Sequence, residues 1–147
     1  MRRPTRIVLL ICAGLMIMTL PLGCAQKGPQ YVDEGAVYSK TSVLKVLDEV
    51  DISELASSPS TDAPKLRHEA LVALRSNSDS AAAVADLLSE TFPASTRGVP
   101  VLIERAKVDG KPAIIIVEAA GPRGGKLSTK RLWALDEQGE VIVVGTK

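Results

Sequence analysis

VPVLIERAKVDGKPAIIIVEAA, residues 99–120, is the stretch that decides the fold of this chain. Branched and other apolar side chains dominate both of its halves, which predicts two strands, Val99–Val108 and Ala113–Ala120. Asp109-Gly110 between them is a hairpin turn signal, because Asp and Gly tolerate the positive φ that a tight two-residue turn needs. The two strands are therefore predicted to pair antiparallel.

Two further strands are predicted after this hairpin. Ser128–Leu135 and Glu140–Gly145 flank a second turn signal, Asp136-Glu137-Gln138-Gly139. The glycines of Gly121–Gly125 make a looser connection to the first hairpin. Turns of this kind join antiparallel neighbours, so the sequence predicts a four-stranded antiparallel meander.

Three helices are predicted before the strands. Apolar residues recur at helical spacing over about 43–55, 64–75 and 79–92. The third segment has the clearest apolar stripe, which consists of Ala81, Val84, Ala85, Leu88 and Phe92. We expect these helices to pack on one face of the meander, which makes a single α+β domain of 41–147.

The amino-terminal segment has a different character. Three basic residues precede an uncharged stretch, 7–20, and the segment ends at Pro21-Leu22-Gly23-Cys24. The apolar stretch is shorter than the roughly 20 residues that a membrane-spanning helix needs. It fits the apolar region of a secretory signal, which has about 7–15 residues behind a basic start.

A cysteine directly after a small residue at the end of such a stretch resembles the lipobox of bacterial lipoproteins. The resemblance implies that the signal, 1–23, is removed and that Cys24 is acylated, which anchors the domain to the cell membrane or outer membrane on its extracytoplasmic side. An uncleaved anchor, an ordinary signal peptide cut elsewhere and a buried apolar helix are the alternatives. Polar residues and Pro29 predict that 24–40 are the lipidated cysteine and a flexible tether.

Composition excludes several classes of function. The chain has 18 Lys+Arg and 17 Asp+Glu, and loss of Arg2, Arg3 and Arg6 with the signal leaves 15 and 17. This balance does not suit a nucleic-acid-binding domain, which is strongly basic. With Cys12 removed and Cys24 acylated, no thiol remains for a disulfide or a thiolate metal site. We therefore expect no cofactor and no metal.

His68 is the only imidazole and the natural starting point for a search for catalysis. It lies in the second predicted helix beside Glu69, where a solvated surface position is the simplest interpretation. A small lipid-anchored hydrolase using His68 with Glu69 or Glu118 is the alternative function. No serine has the glycine spacing of a nucleophile elbow, so no catalytic residue is predicted.

Basic residues gather in the β half of the chain and form a possible basic surface. Its members are Arg105, Lys107, Arg123, Lys126, Lys130 and Arg131. On one face they would attract anionic lipid headgroups or an acidic partner, whereas lysines on solvated strand edges simply block edge pairing. The Gly-rich stretch 121–126 fails as a phosphate loop, because its spacing is one residue short and Leu127 replaces the Ser or Thr that binds magnesium.

The consecutive apolar residues 114–117 predict that both faces of the second strand are apolar, since side chains alternate along a strand. Helices on one face would leave Ile115 and Val117, with Trp133, on the other. These residues form a possible patch for a protein partner or self-association, unless the first helix covers them.

The last predicted hairpin, 131–142, resembles the end of small secreted modules such as the PepSY domain. The likeness spans about a dozen residues and implies no specific activity. The function expected from the whole sequence is a non-catalytic binding or accessory domain held at the bacterial cell envelope. A subunit of an envelope complex is a further alternative.

Overall fold

The computed structural model describes residues 28–91 and 97–147, and these form an α+β fold with one mixed sheet. The strands of the described residues are β1 (Gln30–Tyr38), β2 (Gly98–Val108), β3 (Lys111–Ala120), β4 (Thr129–Leu135) and β5 (Val141–Thr146). The helices are α1 (Val46–Glu49), α2 (Ala63–Arg75) and α3 (Asp79–Thr91), and 3-10 turns lead into α1 (Ser42–Lys45) and α2 (Ser60–Asp62). The α+β class is confirmed. Phe92, the predicted end of the third helix, lies outside the described residues.

The sheet order follows the chain, β1-β2-β3-β4-β5, and strands β2 to β5 are antiparallel neighbours as predicted. The β2–β3 turn has Asp109 at φ 49° and Gly110 at φ 79°. Two consecutive positive φ values match the right-handed twist of paired strands, which explains why the Asp-Gly signal is reliable here.

The prediction of four strands is wrong, because β1 adds a fifth that pairs parallel with β2. Its register runs from Gln30 opposite Leu102 to Tyr38 opposite Val108, with an irregularity between Val32 and Ala36. Asp33-Glu34-Gly35 interrupts the alternation of side chains in the sequence, and this segment lies at that irregularity. The predicted tether of 24–40 is therefore wrong for Gln30–Tyr38, and the domain begins before residue 41.

Both faces of the sheet are covered, but not as predicted. Helices α2 and α3 pack on the face that contains Ile103, Ile114 and Ile116. The short segment Ser42–Glu49 packs on the opposite face, against Ile115 and Val117. The prediction that all three helices pack on one face is thus wrong. Both faces of the sheet are apolar, and each has to be shielded from water.

The first helix ends much earlier than residue 55. Val50 is already extended, with φ −86° and ψ 127°. The Asp51 carboxylate then accepts hydrogen bonds from the Ser53 backbone amide (2.8 Å) and hydroxyl (2.9 Å). Such a local side-chain turn competes with helical hydrogen bonds. It lets the chain leave the α1 face and reach α2 on the other side of the sheet.

Three contacts hold α1 on its face of the sheet. Lys130 Nζ donates to the Leu47 carbonyl oxygen at 2.9 Å, and Lys147 forms an ion pair with Asp48. Gly145 packs against Leu44 of the preceding 3-10 turn, and a Cβ there would lie 2.5 Å from a Leu44 methyl group. Among the described residues, no helix has the length and apolar character needed to cross a bilayer.

The possible association patch is not a surface. Ile115 and Val117 are completely buried, and only Trp133 of that set is partly exposed. Residues 42–49 cover the two aliphatic side chains, which is the alternative that the sequence left open. The prediction of an exposed apolar sheet face is therefore wrong for Ile115 and Val117. It is also wrong for Trp133, which lies on the α2 face, opposite Ile116 of β3.

Ile115→Ala and Ile116→Ala should destabilise the domain to a similar extent, because each removes buried methyl groups from a different face of β3. Each loss should be about 2–5 kcal/mol in the free energy of unfolding. Denaturant unfolding followed by Trp133 fluorescence measures it. Val144→Ala, at a side chain that is 52% exposed, is the control and should change stability by no more than about 0.5 kcal/mol. A similarly small effect of either isoleucine variant would contradict two-sided burial.

Candidate functional site

A carboxylate with no access to water lies at the centre of the α2 face. Glu118 on β3 is 1% exposed, and Arg67 on α2 is 7% exposed. Arg67 Nη1 lies 2.7 Å from Glu118 Oε1 and also donates to the Gly98 carbonyl oxygen at 3.3 Å. The ion pair therefore ties α2 to both β2 and β3.

The second carboxylate oxygen is bound from β4. Arg131 Nη2 and Trp133 Nε1 each donate to Glu118 Oε2 at 3.0 Å. The Arg131 guanidinium also stacks over the Trp133 ring, 5.2 Å from its centroid. A Cβ on Gly98 would lie 2.3 Å from Glu118 Oε2, so the pair leaves room only for glycine. We call Arg67, Glu118, Arg131 and Trp133 the buried ion cluster.

The residues considered for hydrolysis do not form a catalytic group. His68 and Glu69 are exposed on α2, whereas Glu118 is buried with both oxygens hydrogen-bonded. Within 28–91 and 97–147, no hydrogen bond or ion pair joins His68 to either carboxylate. In the same ranges no cluster of three or more His, Cys, Asp or Glu residues is placed to hold a metal. Cys24, the predicted lipidation site, lies outside the described residues.

The six basic residues do not share one surface, which corrects that prediction. Arg105 and Lys107 lie toward the Asp109-Gly110 end of β2, opposite Ile114 and Pro112. Arg123 and Lys126 follow Ala120 at the other end of the sheet, roughly 20–26 Å away along the strands at a rise of about 3.3 Å per residue.

Neighbouring Lys130 and Arg131 point to opposite faces, as side chains in a strand must. Lys130 reaches Leu47 on the α1 face, and Arg131 reaches Glu118 on the α2 face. The strand pairing therefore separates cations that are close in sequence.

A groove begins at the edge of β2 over residues 99–101, which β1 leaves unpaired, and continues beside β1 on the α1 face. One part, of about 570 Å³, is lined by loop 51–55, by α2 residues such as Leu66 and by Gly28. The other part, of about 500 Å³, lies on the α1 face and is lined by Tyr38, Glu49 and Glu104 among others. Asp51 and Val101 line both parts, and we call the whole the β2-edge groove.

Glu104 is the least exposed carboxyl of this groove. It is 7% exposed, and the Tyr38 hydroxyl is 3.1 Å from one of its oxygens and 3.3 Å from the other. Burial raises the pKa of the Glu104 carboxyl above its ordinary value; the Tyr38 hydrogen bond offsets part of the rise, and the charges of Glu49 and Glu34 add to it. Burial and then the Glu104 charge raise the pKa of Tyr38 to about 12.

This arrangement suits binding. Apolar walls can bury the body of a ligand, while Glu104 and the exposed carboxylates of the rim accept hydrogen bonds or a positive charge. Sequence reasoning missed Glu104, and it considered Glu118 only as a carboxylate for catalysis. The available signal was a glutamate directly after a run of apolar residues. Glu104 follows the apolar run 99–103, and Glu118 follows the apolar run 113–117.

No protein-family model, no curated protein and no solved structure matches this chain. The likeness of residues 131–142 to a PepSY hairpin stays a prediction.

Glu118→Gln should cost about 3–5 kcal/mol of stability, because it leaves the buried charge of Arg67 without its counter-ion. Denaturant unfolding of the purified chain gives the value, and Glu137→Gln at an exposed turn is the control. If the variant does not fold, Arg131→Gln keeps the Arg67–Glu118 pair and should give a smaller loss. A change below about 1 kcal/mol in Glu118→Gln would contradict a structural role for this pair.

Glu104→Gln should make stability less dependent on pH. The pKa of Glu104 in the folded state is raised above the unfolded value of about 4.3. Ionisation of the Glu104 carboxyl therefore opposes folding as the pH rises from the unfolded pKa through the folded pKa. The wild type should therefore lose stability relative to Glu104→Gln as the pH rises above about 4.3 and through the raised folded-state pKa of Glu104, and unfolding curves at increasing pH measure this loss. Glu137→Gln should run parallel to the wild type. Parallel curves for Glu104→Gln and wild type would contradict the raised pKa.

Proposed function

We propose that this chain is a lipoprotein of a bacterial cell envelope, anchored through acylated Cys24, whose domain is a non-catalytic binding or accessory module. The observation that carries the proposal is the short interval between the lipobox-type cysteine and the domain. Strand β1 begins at Gln30, so five residues, 25–29, separate it from Cys24. A fully extended chain reaches at most about 20 Å over this interval. The domain is thereby held against the headgroups instead of floating above them.

The β2-edge groove supports the binding part of the proposal. Gly28 and Gln30 line it, so the groove lies where the chain enters the domain. Its buried carboxyl, Glu104, faces a cavity large enough for a small molecule or a peptide side chain. A groove at this position would lie next to the membrane surface.

Mass spectrometry of the detergent-extracted protein tests the anchor. The wild type should begin at Cys24 and carry acyl chains, whereas Cys24→Ser should remain an unacylated precursor, because the thiol that accepts the lipid is gone. Cys12→Ser is the matched control and should leave lipidation unchanged, since residue 12 departs with the signal. An unmodified Cys24 in the wild type would contradict the proposal.

A second experiment tests the hydrolase alternative. In cells that depend on this protein, His68→Ala should retain full function when it is folded and membrane-bound, because His68 has an exposed position outside the groove. Loss of function in that variant would favour the hydrolase. Stoichiometric co-purification with other membrane proteins would favour the envelope-complex subunit.

A further inference from the structure

A small cavity at the opposite end of the sheet from the Asp109-Gly110 turn contains two arginines. It measures about 310 Å³ and lies between the β3–β4 connection and the start of α2. Its lining residues are Ser60, Thr61, Pro64, Arg97, Arg123 and Gly124. Among the residues that the structure describes, no carboxylate belongs to this lining. We call it the diarginine cavity.

The β3–β4 connection is held in place by the segment that precedes α2. The Ser60 amide donates to the Gly125 carbonyl oxygen at 2.8 Å, and the Leu127 amide donates to the Ser58 carbonyl oxygen at 3.0 Å. The Ser60 hydroxyl donates to the Pro122 carbonyl oxygen at 2.8 Å. Arg123 therefore projects from a fixed turn, and binding there would not have to order the loop first.

The two charged side chains that line the cavity are both positive. In the described part of the chain, neither Arg97 nor Arg123 forms an ion pair with a carboxylate. Next to Arg97, the buried ion cluster contains two guanidinium groups, of Arg67 and Arg131, and one carboxylate. Pro64, which lines the cavity from the first turn of α2, has no amide hydrogen to donate to an anion. The positive charge at the cavity therefore comes from the arginine side chains. Two like charges beside one cavity favour an anion between them.

We propose that the diarginine cavity binds a phosphate group. Guanidinium forks match the geometry of phosphate oxygens and form short charge-assisted hydrogen bonds with them. The Thr61 hydroxyl at the wall is a further donor for the same anion. The phosphate is carried either by a soluble molecule or by the headgroup of an anionic lipid. The site goes beyond the proposed function, since its chemistry does not require an acylated Cys24.

A titration of inorganic phosphate into the full chain, purified in an uncharged detergent, tests the site. The wild type should bind phosphate saturably at constant ionic strength. Arg97→Gln/Arg123→Gln should weaken binding about tenfold or more, because both charge-assisted contacts are lost. Arg105→Gln/Lys107→Gln is the matched control: it removes the same charge at the far end of the sheet and should bind like the wild type.

A second arm identifies the source of the phosphate. The same proteins are mixed with nanodiscs of phosphatidylcholine alone or with phosphatidylglycerol added. A lipid headgroup is the source if phosphatidylglycerol raises the affinity of the wild type at least about tenfold. This gain should be lost in Arg97→Gln/Arg123→Gln and kept in Arg105→Gln/Lys107→Gln. Saturable binding of inorganic phosphate without that gain assigns it to a soluble phosphate.

Equal behaviour of the wild type and both double variants toward phosphate and phosphatidylglycerol would overturn the proposal. Unfolding curves establish that the variants are folded, and Arg97→Lys/Arg123→Lys should restore part of the affinity if charge is what matters. Because the first arm uses detergent-solubilised protein whether or not Cys24 is acylated, its failure is distinct from a failure of the anchor.

Discussion

The carboxylate of Glu118 is the constraint on which the rest of the structure depends. It has no contact with water, so the cost of burying its charge has to be met by Arg67, Arg131 and the Trp133 indole. These partners come from α2 and β4, while the carboxylate itself comes from β3. One interaction thereby fixes a helix against three strands, since Arg67 also binds the Gly98 carbonyl oxygen of β2. The absence of a side chain at Gly98 is what lets the cluster close.

The position of α2 in turn shapes both candidate sites. Its first turn and the 3-10 turn before it form one wall of the diarginine cavity, and its Leu66, Glu69 and Ala70 form a wall of the β2-edge groove. A shift of α2 would therefore change a wall of each cavity. The two sites also differ in charge, because carboxylates line the groove and guanidinium groups line the cavity. By fixing α2, the buried ion cluster positions one wall of the β2-edge groove and one wall of the diarginine cavity, although none of its residues lines either site.

Local signals in the sequence predicted much of the fold. Asp109-Gly110 specified its hairpin, and the helical spacing of 64–75 matched α2 to within one residue. Strand β1 was missed because its stability comes from pairing with residues about 70 positions further along the chain, and its Asp33-Glu34-Gly35 interruption reads as a loop. The buried ion cluster was missed for the same reason. Arg67 looks like one of several surface charges on α2, and only the tertiary fold shows that it faces Glu118.

The separation of charge has a consequence for a domain held close to a membrane. A short link from Cys24 would place the chain entry, with Gly28 and the acidic rim of the groove, near the headgroups. An anionic leaflet repels carboxylates and attracts arginine by about 1 kcal/mol per charge within a Debye length. Under the proposed anchor, this field favours orientations in which the diarginine cavity faces the lipid, and the short link of residues 25–29 limits how far the groove can turn away from it. Under the proposed anchor, a link of five residues would keep the chain entry closer to this field than a tether of sixteen residues would, so the early start of β1 would favour orientation at the surface.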